Sequence, residues 1–234
     1  GQAMSPEVKD KLLSEGDLFN SVTGEVICEA GSKIPVIIVL HNKEYLLWDD
    51  RKGDDRGLLA RASRTKDKEG NIRYKWDKPN SVFDVKVDGK HKAKYKTANY
   101  IDEDNLHQWG TQIPGNAESP PAAQESQNYI IAFPTRDYEL IAVSLSRTSI
   151  GVAKKLNTNL KFGQSAIFER IYELGSFIDN RGDNKFANYQ FSNSYKPVTT
   201  PVADMMAEVY QSLALKNVII DRSDDHDEVA SKKF

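Results

Sequence analysis

NYIIAF (residues 128–133), PTRD (134–137), YELIAVSL (138–145) and IGVAKKLNTNLKF (150–162) follow one another almost without interruption. The first and third are short apolar runs of strand length, and the proline-led tetrapeptide between them supplies turn chemistry. Ser146-Arg-Thr-Ser149 offers helix-capping side chains ahead of the fourth segment, whose apolar residues recur at helical spacing. A hairpin feeding a helix makes a compact nucleus, because a sheet face is buried only when something packs on it. The stretch predicts a β-rich domain with a packed helix and carries no catalytic signature.

Upstream of this nucleus, Ser5-Pro6-Glu7 opens a short helix with apolar Val8, Leu12 and Leu13 that ends at Gly16. Asp17–Ile27 reads as two short strands around Thr23-Gly24, and Ile34–Leu40 as a β-branched buried strand. His41-Asn-Lys43 is expected to turn the chain and Glu44–Trp48 to return it. The charged loop Asp49–Gly57 holds Asp49, Asp50, Asp54 and Asp55 but lacks the spacing of a calcium-binding loop, so a solvated turn is the favoured reading.

Charge is segregated along the chain. The whole sequence has a net charge of −2. Between Arg61 and Lys96, twelve basic residues stand against five acidic ones, about +7 for the segment and about −9 for the rest. RYKW (73–76) and KAKYK (92–96) alternate bases with aromatic or small residues. In a strand, alternate residues share a face, so Lys92, Lys94 and Lys96 are expected on one side and Tyr95 on the other. Leu58–Thr97 therefore reads as strands with cationic rims, joined by turns at Lys68–Asn71 and Val87–Lys90. Such a surface can track a sugar-phosphate backbone while rings stack on bases. The candidate nucleic-acid contacts are Arg61, Arg64, Arg73, Lys75, Lys92, Lys94 and Lys96 for phosphates, and Tyr74, Trp76 and Tyr95 for bases. The competing reading makes Trp76, Phe83 and Tyr95 core residues and the lysines edge-strand gatekeepers.

Beyond this segment, Asn99–Trp109 is expected to be partly helical, and Gly110–Gln127, rich in Pro, Ala, Gln and Ser, to be a long mobile loop. Ala166–Phe177 and Phe186–Phe191 read as paired strands around the loop Asp179–Lys185. Thr200-Pro201 opens a last helix with an apolar stripe through Leu215. Gly1–Met4 reads as an expression-tag remnant, residues 5–220 as a single domain interrupted by the loop 110–127, and residues 221–234 as an acidic tail too poor in apolar residues to fold alone.

Several function classes lack their signatures. The phosphate-binding and dinucleotide glycine motifs, the nucleophile elbow and the zinc-protease helix motif are absent. His41, His91, His107 and His226 are scattered, and the single cysteine, Cys28, leaves no internal disulfide or cysteine-based zinc site. The expectation is a protein that is not an enzyme, with no cofactor and no metal. A metal-dependent nuclease built from the aspartates of residues 49–55 is the weaker alternative.

A β-rich body, cationic aromatic hairpins, a late helix and an acidic tail ending in Phe234 together resemble phage-encoded single-stranded DNA-binding proteins. The resemblance implies an α+β, β-rich fold with an OB-like antiparallel barrel, packed helices and a DNA-binding role in phage replication or recombination in the host cytoplasm. It also implies that Asp224, Asp225, Asp227, Glu228 and Phe234 of the tail recruit a polymerase or other replication protein and compete with DNA for the cationic groove. Lys232 and Lys233, next to Phe234, depart from that pattern. The expected partner is single-stranded DNA without strong sequence preference, with no membrane association; a homodimer is compatible with the sequence. The alternative from another class is a structural or interaction protein, a phage-particle component or regulator of a host protein, indifferent to nucleic acid.

Overall fold

The computed structural model describes residues 14–20, 23–49, 57–87, 91–163, 165–181, 184–192 and 196–215. The expected N-terminal helix over residues 5–13, most of the 49–57 aspartate loop, the turn at 88–90, residues 182–183 and the whole acidic tail lie outside them. In chain order the strands and helices are β1 (Leu18–Phe19), β2 (Val26–Cys28), β3 (Lys33–Trp48), β4 (Leu58–Lys66), β5 (Ile72–Trp76), β6 (Val82–Val87), β7 (His91–Lys96), α1 (Ile101–Asp104), β8 (Ala123–Phe133), β9 (Glu139–Ser146), α2 (Ile150–Phe162), β10 (Arg170–Arg181), β11 (Asn184–Phe191), β12 (Lys196–Pro197) and α3 (Thr200–Leu215). The fold is α+β and β-rich, and every strand pair with a described register is antiparallel. No described sheet closes on itself, so the expected barrel is replaced by open sheets. No described helix is long and apolar enough to cross a membrane.

The described residues divide into two compact units, one within 14–41 and 128–215, the other within 42–127. The chain passes from the first to the second along β3 and returns along β8.

The first unit contains the β8–β9 hairpin and α2 that the sequence predicts. A 3-10 turn at Pro134–Arg136 joins the two strands, and Asp137 takes a left-handed φ of 50° that Asp tolerates well. No side chain caps α2; a second 3-10 turn, Arg147–Ser149, runs directly into it. Period-two alternation then sorts the side chains into two cores. Val36 and Ile38 of β3 join Tyr129, Ile131 and Phe133 of β8, Tyr172 and Leu174 of β10, and Ala153 and Leu156 of α2. Ile37 and Val39 join Ala132 and Met206 of α3, with Val202, Val209 and Leu213 around them. The Tyr129 hydroxyl donates to Asn157 Oδ1 at 2.8 Å, tying β8 to α2. The α3 stripe is narrower than expected, since Met205 and Leu215 are exposed.

His41-Asn-Lys43 does not turn the chain. β3 runs sixteen residues through it, with His41 stacked on Tyr129 at a 4.8 Å ring separation. Three polar residues in a row imitate a turn, but here they are strand positions.

In the second unit β3, β4 and β5 pair in order, β6 and β7 form a separate hairpin, and both groups contribute to one core. That core contains Tyr45, Leu47, Ala62, Trp76, Val85, Val87, Tyr95, Ile101 and Leu106. Strands β4 to β7 fall where the sequence places them.

Gly175 of β10 pairs with Lys33 of β3, and a Cβ there would stand 2.5 Å from the Ser32 carbonyl oxygen. Because the obstacle is backbone, the two strands would have to part. Gly175→Ala is expected to destabilise the protein by about 1–3 kcal/mol, the usual cost of overpacking, read as a lower urea midpoint. An unchanged midpoint would show that β3 and β10 yield freely there.

Candidate nucleic-acid interface

The β6–β7 hairpin has two chemically distinct faces. Val85 and Val87 of β6, with Ala93 and Tyr95 of β7, point into the core. Val82, Asp84 and Lys86 alternate with them on β6, as Lys92, Lys94 and Lys96 do on β7, and all six are exposed. The register sets Lys86 opposite Lys92, Asp84 opposite Lys94, and Val82 opposite Lys96. Lys94 Nζ lies 3.4 Å from Asp84 Oδ1, but both side chains are more than two-thirds solvent-exposed, so water screens that pair strongly. Lys86 and Lys92 face each other across the ladder, an arrangement of like charges that costs stability in an isolated hairpin. Alternate side chains on a strand are separated by about 6.7 Å, comparable with the spacing of successive phosphates along an extended polynucleotide. The sequence reading of Lys92, Lys94 and Lys96 on one face and Tyr95 on the other describes this hairpin.

The β4–β5 hairpin distributes its cations differently. Arg64 and Lys75 are exposed, Arg64 directly opposite Tyr74 and Lys75 opposite Ser63. Arg61, by contrast, is 9% exposed and its Nε lies 3.5 Å from Glu44 Oε2. Arg73 donates through Nε and Nη2 to Asp102 at 3.3 and 2.7 Å, and through Nη2 to Glu103 at 2.9 Å. Its guanidinium stacks 3.8 Å above the Tyr100 ring. Arg61 is thus buried against a carboxylate of the chain itself, which takes it out of reach of a phosphate, while Arg73, a quarter exposed, shares its charge with two carboxylates that are themselves exposed.

The expected stacking platform also needs correction. Trp76 is 1% exposed and Tyr95 4%. Trp76 Nε1 donates to Asp104 Oδ2 at 2.6 Å, and the Tyr95 hydroxyl donates to the Gln112 carbonyl at 2.8 Å. Buried rings whose polar tips are satisfied are structural, and neither can receive a base. The same Asp104 carboxylate accepts from the backbone N–H groups of Ala98 and Leu106, both at 3.0 Å, so one side chain ties Trp76 to the start and end of α1. Tyr74 is half-buried, edge-on to Tyr45 at 5.1 Å, with Lys43 Nζ 5.3 Å from its ring centre. Burial pushes its phenol above the usual range, so it stays neutral at physiological pH.

Two exposed side chains escaped the sequence reading. Lys86 was counted in the charge but not placed on the face, although its even spacing from Val82 and Asp84 carries that information. Trp109 is 70% exposed, just beyond the short helix α1, and the expected loop 110–127 is instead a set of hydrogen-bonded turns that runs into β8 at Ala123. Cys28 is buried, and its thiol is pushed up by that burial and by the nearby Asp17 and Glu29 charges, which keep it protonated. Asp49 is buried, while Asp50, Asp54 and Asp55 lie outside the described residues, as do Asp224, Asp225, Asp227, Glu228 and Phe234. In the first unit a cleft of about 720 Å³ is lined by Lys33, Lys155, Glu173, Phe177, Asp179 and Asn188 among others, none of them a sequence-expected contact.

A family model described as Pam3 phage gp34-like protein matches residues 2–218. No curated protein and no solved structure matches the chain.

Trp76→Ala is expected to cost about 3–5 kcal/mol, the range for removing a fully buried aromatic side chain, and to lower the thermal midpoint strongly. Trp76→Phe keeps most of the ring volume but leaves Asp104 without its indole donor, so a smaller loss is expected. A Trp76→Ala protein as stable as the wild type would contradict the core placement.

Proposed function

The chain belongs to the Pam3 phage gp34-like protein family; from the surface of its second unit we propose that it binds single-stranded nucleic acid without strong sequence preference. The observation that carries the reading is the lysine face of the β6–β7 hairpin, where Lys86 and Lys92 oppose each other and Lys94 and Lys96 continue the row. The like charges of Lys86 and Lys92 are costly in the free protein and favourable against a polyanion, whose condensed counterions the lysines release on binding. Arg64 and Lys75 add exposed positive charge in the same unit. Contacts to phosphates position a strand without reading its bases, which accounts for the lack of sequence preference. The mechanism is occupancy of a strand, not turnover. The biological setting in this reading is phage DNA replication or recombination in the host cytoplasm. The tail residues Asp224, Asp225, Asp227, Glu228 and Phe234 then engage a polymerase or other replication protein. The reading rests on the lysine face and does not require an OB-type barrel.

The test is fluorescence anisotropy of an end-labelled single-stranded DNA oligonucleotide over a range of salt concentrations, with RNA and duplex DNA for comparison. Affinity is expected to fall steeply with salt. Replacing Lys92, Lys94 and Lys96 by Glu is expected to remove about 2 from the log–log salt slope, at about 0.7 per lost single-strand contact, with little net change in thermal stability because Lys92→Glu relieves the repulsion with Lys86 while Lys94→Glu adds one with Asp84. An unaltered slope in the triple variant would place binding elsewhere. A wild-type protein that leaves anisotropy unchanged at low salt would end the nucleic-acid reading and favour an interaction protein that recognises other proteins.

A further inference from the structure

We infer that Asp84 competes with the bound strand for Lys94, and so limits how tightly the β6–β7 face holds a polyanion and on which side of the hairpin the strand lies. The assignment rests on the nucleic-acid reading above and adds to it a regulation of the same surface. Along β7 the outward positions are Lys92, Lys94 and Lys96, a cation at every step. Along β6 they are Lys86, Asp84 and Val82, a cation, an anion and an apolar group. β6 and β7 form a two-stranded sheet, so these two columns make up its described outward face.

The register sets Asp84 against the middle of the cationic column. Asp84 is the cross-strand partner of Lys94, and its Oδ1 lies 3.4 Å from Lys94 Nζ. Lys92 and Lys96, on either side, stand opposite Lys86 and Val82, neither of which can neutralise them. The three β7 lysines, at steps of about 6.7 Å, offer one cation to each of three successive phosphates of an extended strand. A phosphate that reaches Lys94 comes within a few ångströms of the Asp84 carboxylate, and like charges at that range repel. The central lysine is therefore contested, while its two neighbours are not. Both members of the pair are largely in water, which keeps the contest modest in size. The same repulsion acts across the β6 column, so the phosphates are biased toward the β7 side of the hairpin.

Stability offers little reason for an aspartate at this position. Asp is disfavoured in strands, and an ion pair this exposed adds little to folding. Its effect on a ligand is larger in kind. A face of lysines alone holds a polyanion without a competitor. Occupancy without turnover ends only by release, and a carboxylate poised at the central lysine takes the ammonium back as the phosphate leaves.

The experiment measures anisotropy of an end-labelled oligo-dT at low and at higher salt with the wild type, Asp84→Asn, Asp84→Glu, Lys94→Gln and the Asp84→Asn/Lys94→Gln double variant, each with its thermal midpoint. Asp84→Asn keeps the side-chain size and removes the charge. It is expected to tighten binding roughly 2- to 5-fold at low salt, the scale of one exposed charge pair, with the gain shrinking as salt rises and the thermal midpoint close to that of the wild type. Asp84→Glu retains the carboxylate and is expected to lack the gain. With Lys94→Gln already present, Asp84→Asn is expected to lose most of its effect, a coupling that a purely structural role would not produce. Equal affinities of Asp84→Asn and a wild type that binds would overturn the Asp84 assignment and leave the lysine face standing. A full gain in the absence of Lys94 would also overturn it, since the carboxylate would then act by general repulsion and not by holding that lysine. No rise in anisotropy for the wild type would remove the nucleic-acid reading itself, and the role of Asp84 with it.

Discussion

Val36, Ile37, Ile38 and Val39 have no solvent-accessible surface. Four consecutive buried residues in a strand demand apolar cover on both faces, since neighbours point in opposite directions. The rest of the first unit follows from that demand. α2 meets the side defined by Val36 and Ile38, and α3 meets the side defined by Ile37 and Val39. β10 adds a partner along the ladder, where Gly175 lets the two backbones approach closely. An antiparallel sheet often leaves one face to water; this one has a helix on each side because its central sequence offers no polar face.

In the second unit the deciding balance is between burial and charge. The Leu58–Thr97 segment is strongly basic by count, but the count overstates the positive surface. Arg61 faces Glu44, and Arg73 is gripped by Asp102 and Glu103. Those three carboxylates lie outside the counted segment, so the folded chain neutralises in space what looks unbalanced in sequence. What survives is the charge on strand positions that alternate outward, and among the described residues of the β6–β7 face four such lysines stand against one carboxylate, Asp84. The same alternation that draws Tyr95 and Val85 inward keeps Lys94 and Asp84 outward, so the core and the cationic surface are consequences of one periodicity.

Aromatic residues divided along a different line. Trp76 and Tyr95 lie between lysines and look like stacking rings, yet they are the residues on which the core of the second unit closes. Each has an apolar body to bury and a polar tip that finds a partner, Asp104 for the indole and the Gln112 carbonyl for the phenol. Trp109 has flanking residues of no special character and is 70% exposed, on a turn whose backbone is closed by the Gly110–Ser119 and Gln112–Pro120 hydrogen bonds. Pro, Ser, Gln and Gly suggest mobility because they lack apolar side chains, but their hydroxyls and backbone groups can satisfy one another when the chain folds back on itself.

The amino-acid sequence by itself determined the hairpin–helix nucleus around residues 128–162, the strands between Leu58 and Thr97, the β10–β11 pair, the last helix and the one-sidedness of Lys92, Lys94 and Lys96. All of these rest on periodicity and turn chemistry, which are local. It misled at His41–Lys43, where polar residues continue a strand, at Arg61 and Trp76, and over the barrel and the loop that follows Trp109. Each of those depends on a partner distant in the chain: Tyr129 under His41, Glu44 beside Arg61, Asp104 beside Trp76. Whether a cation is free or answered, and whether a ring is core or surface, is a matter of what the fold brings within a few ångströms. Tertiary structure decided it because burial and electrostatic pairing act through space, while sequence records only order along the chain.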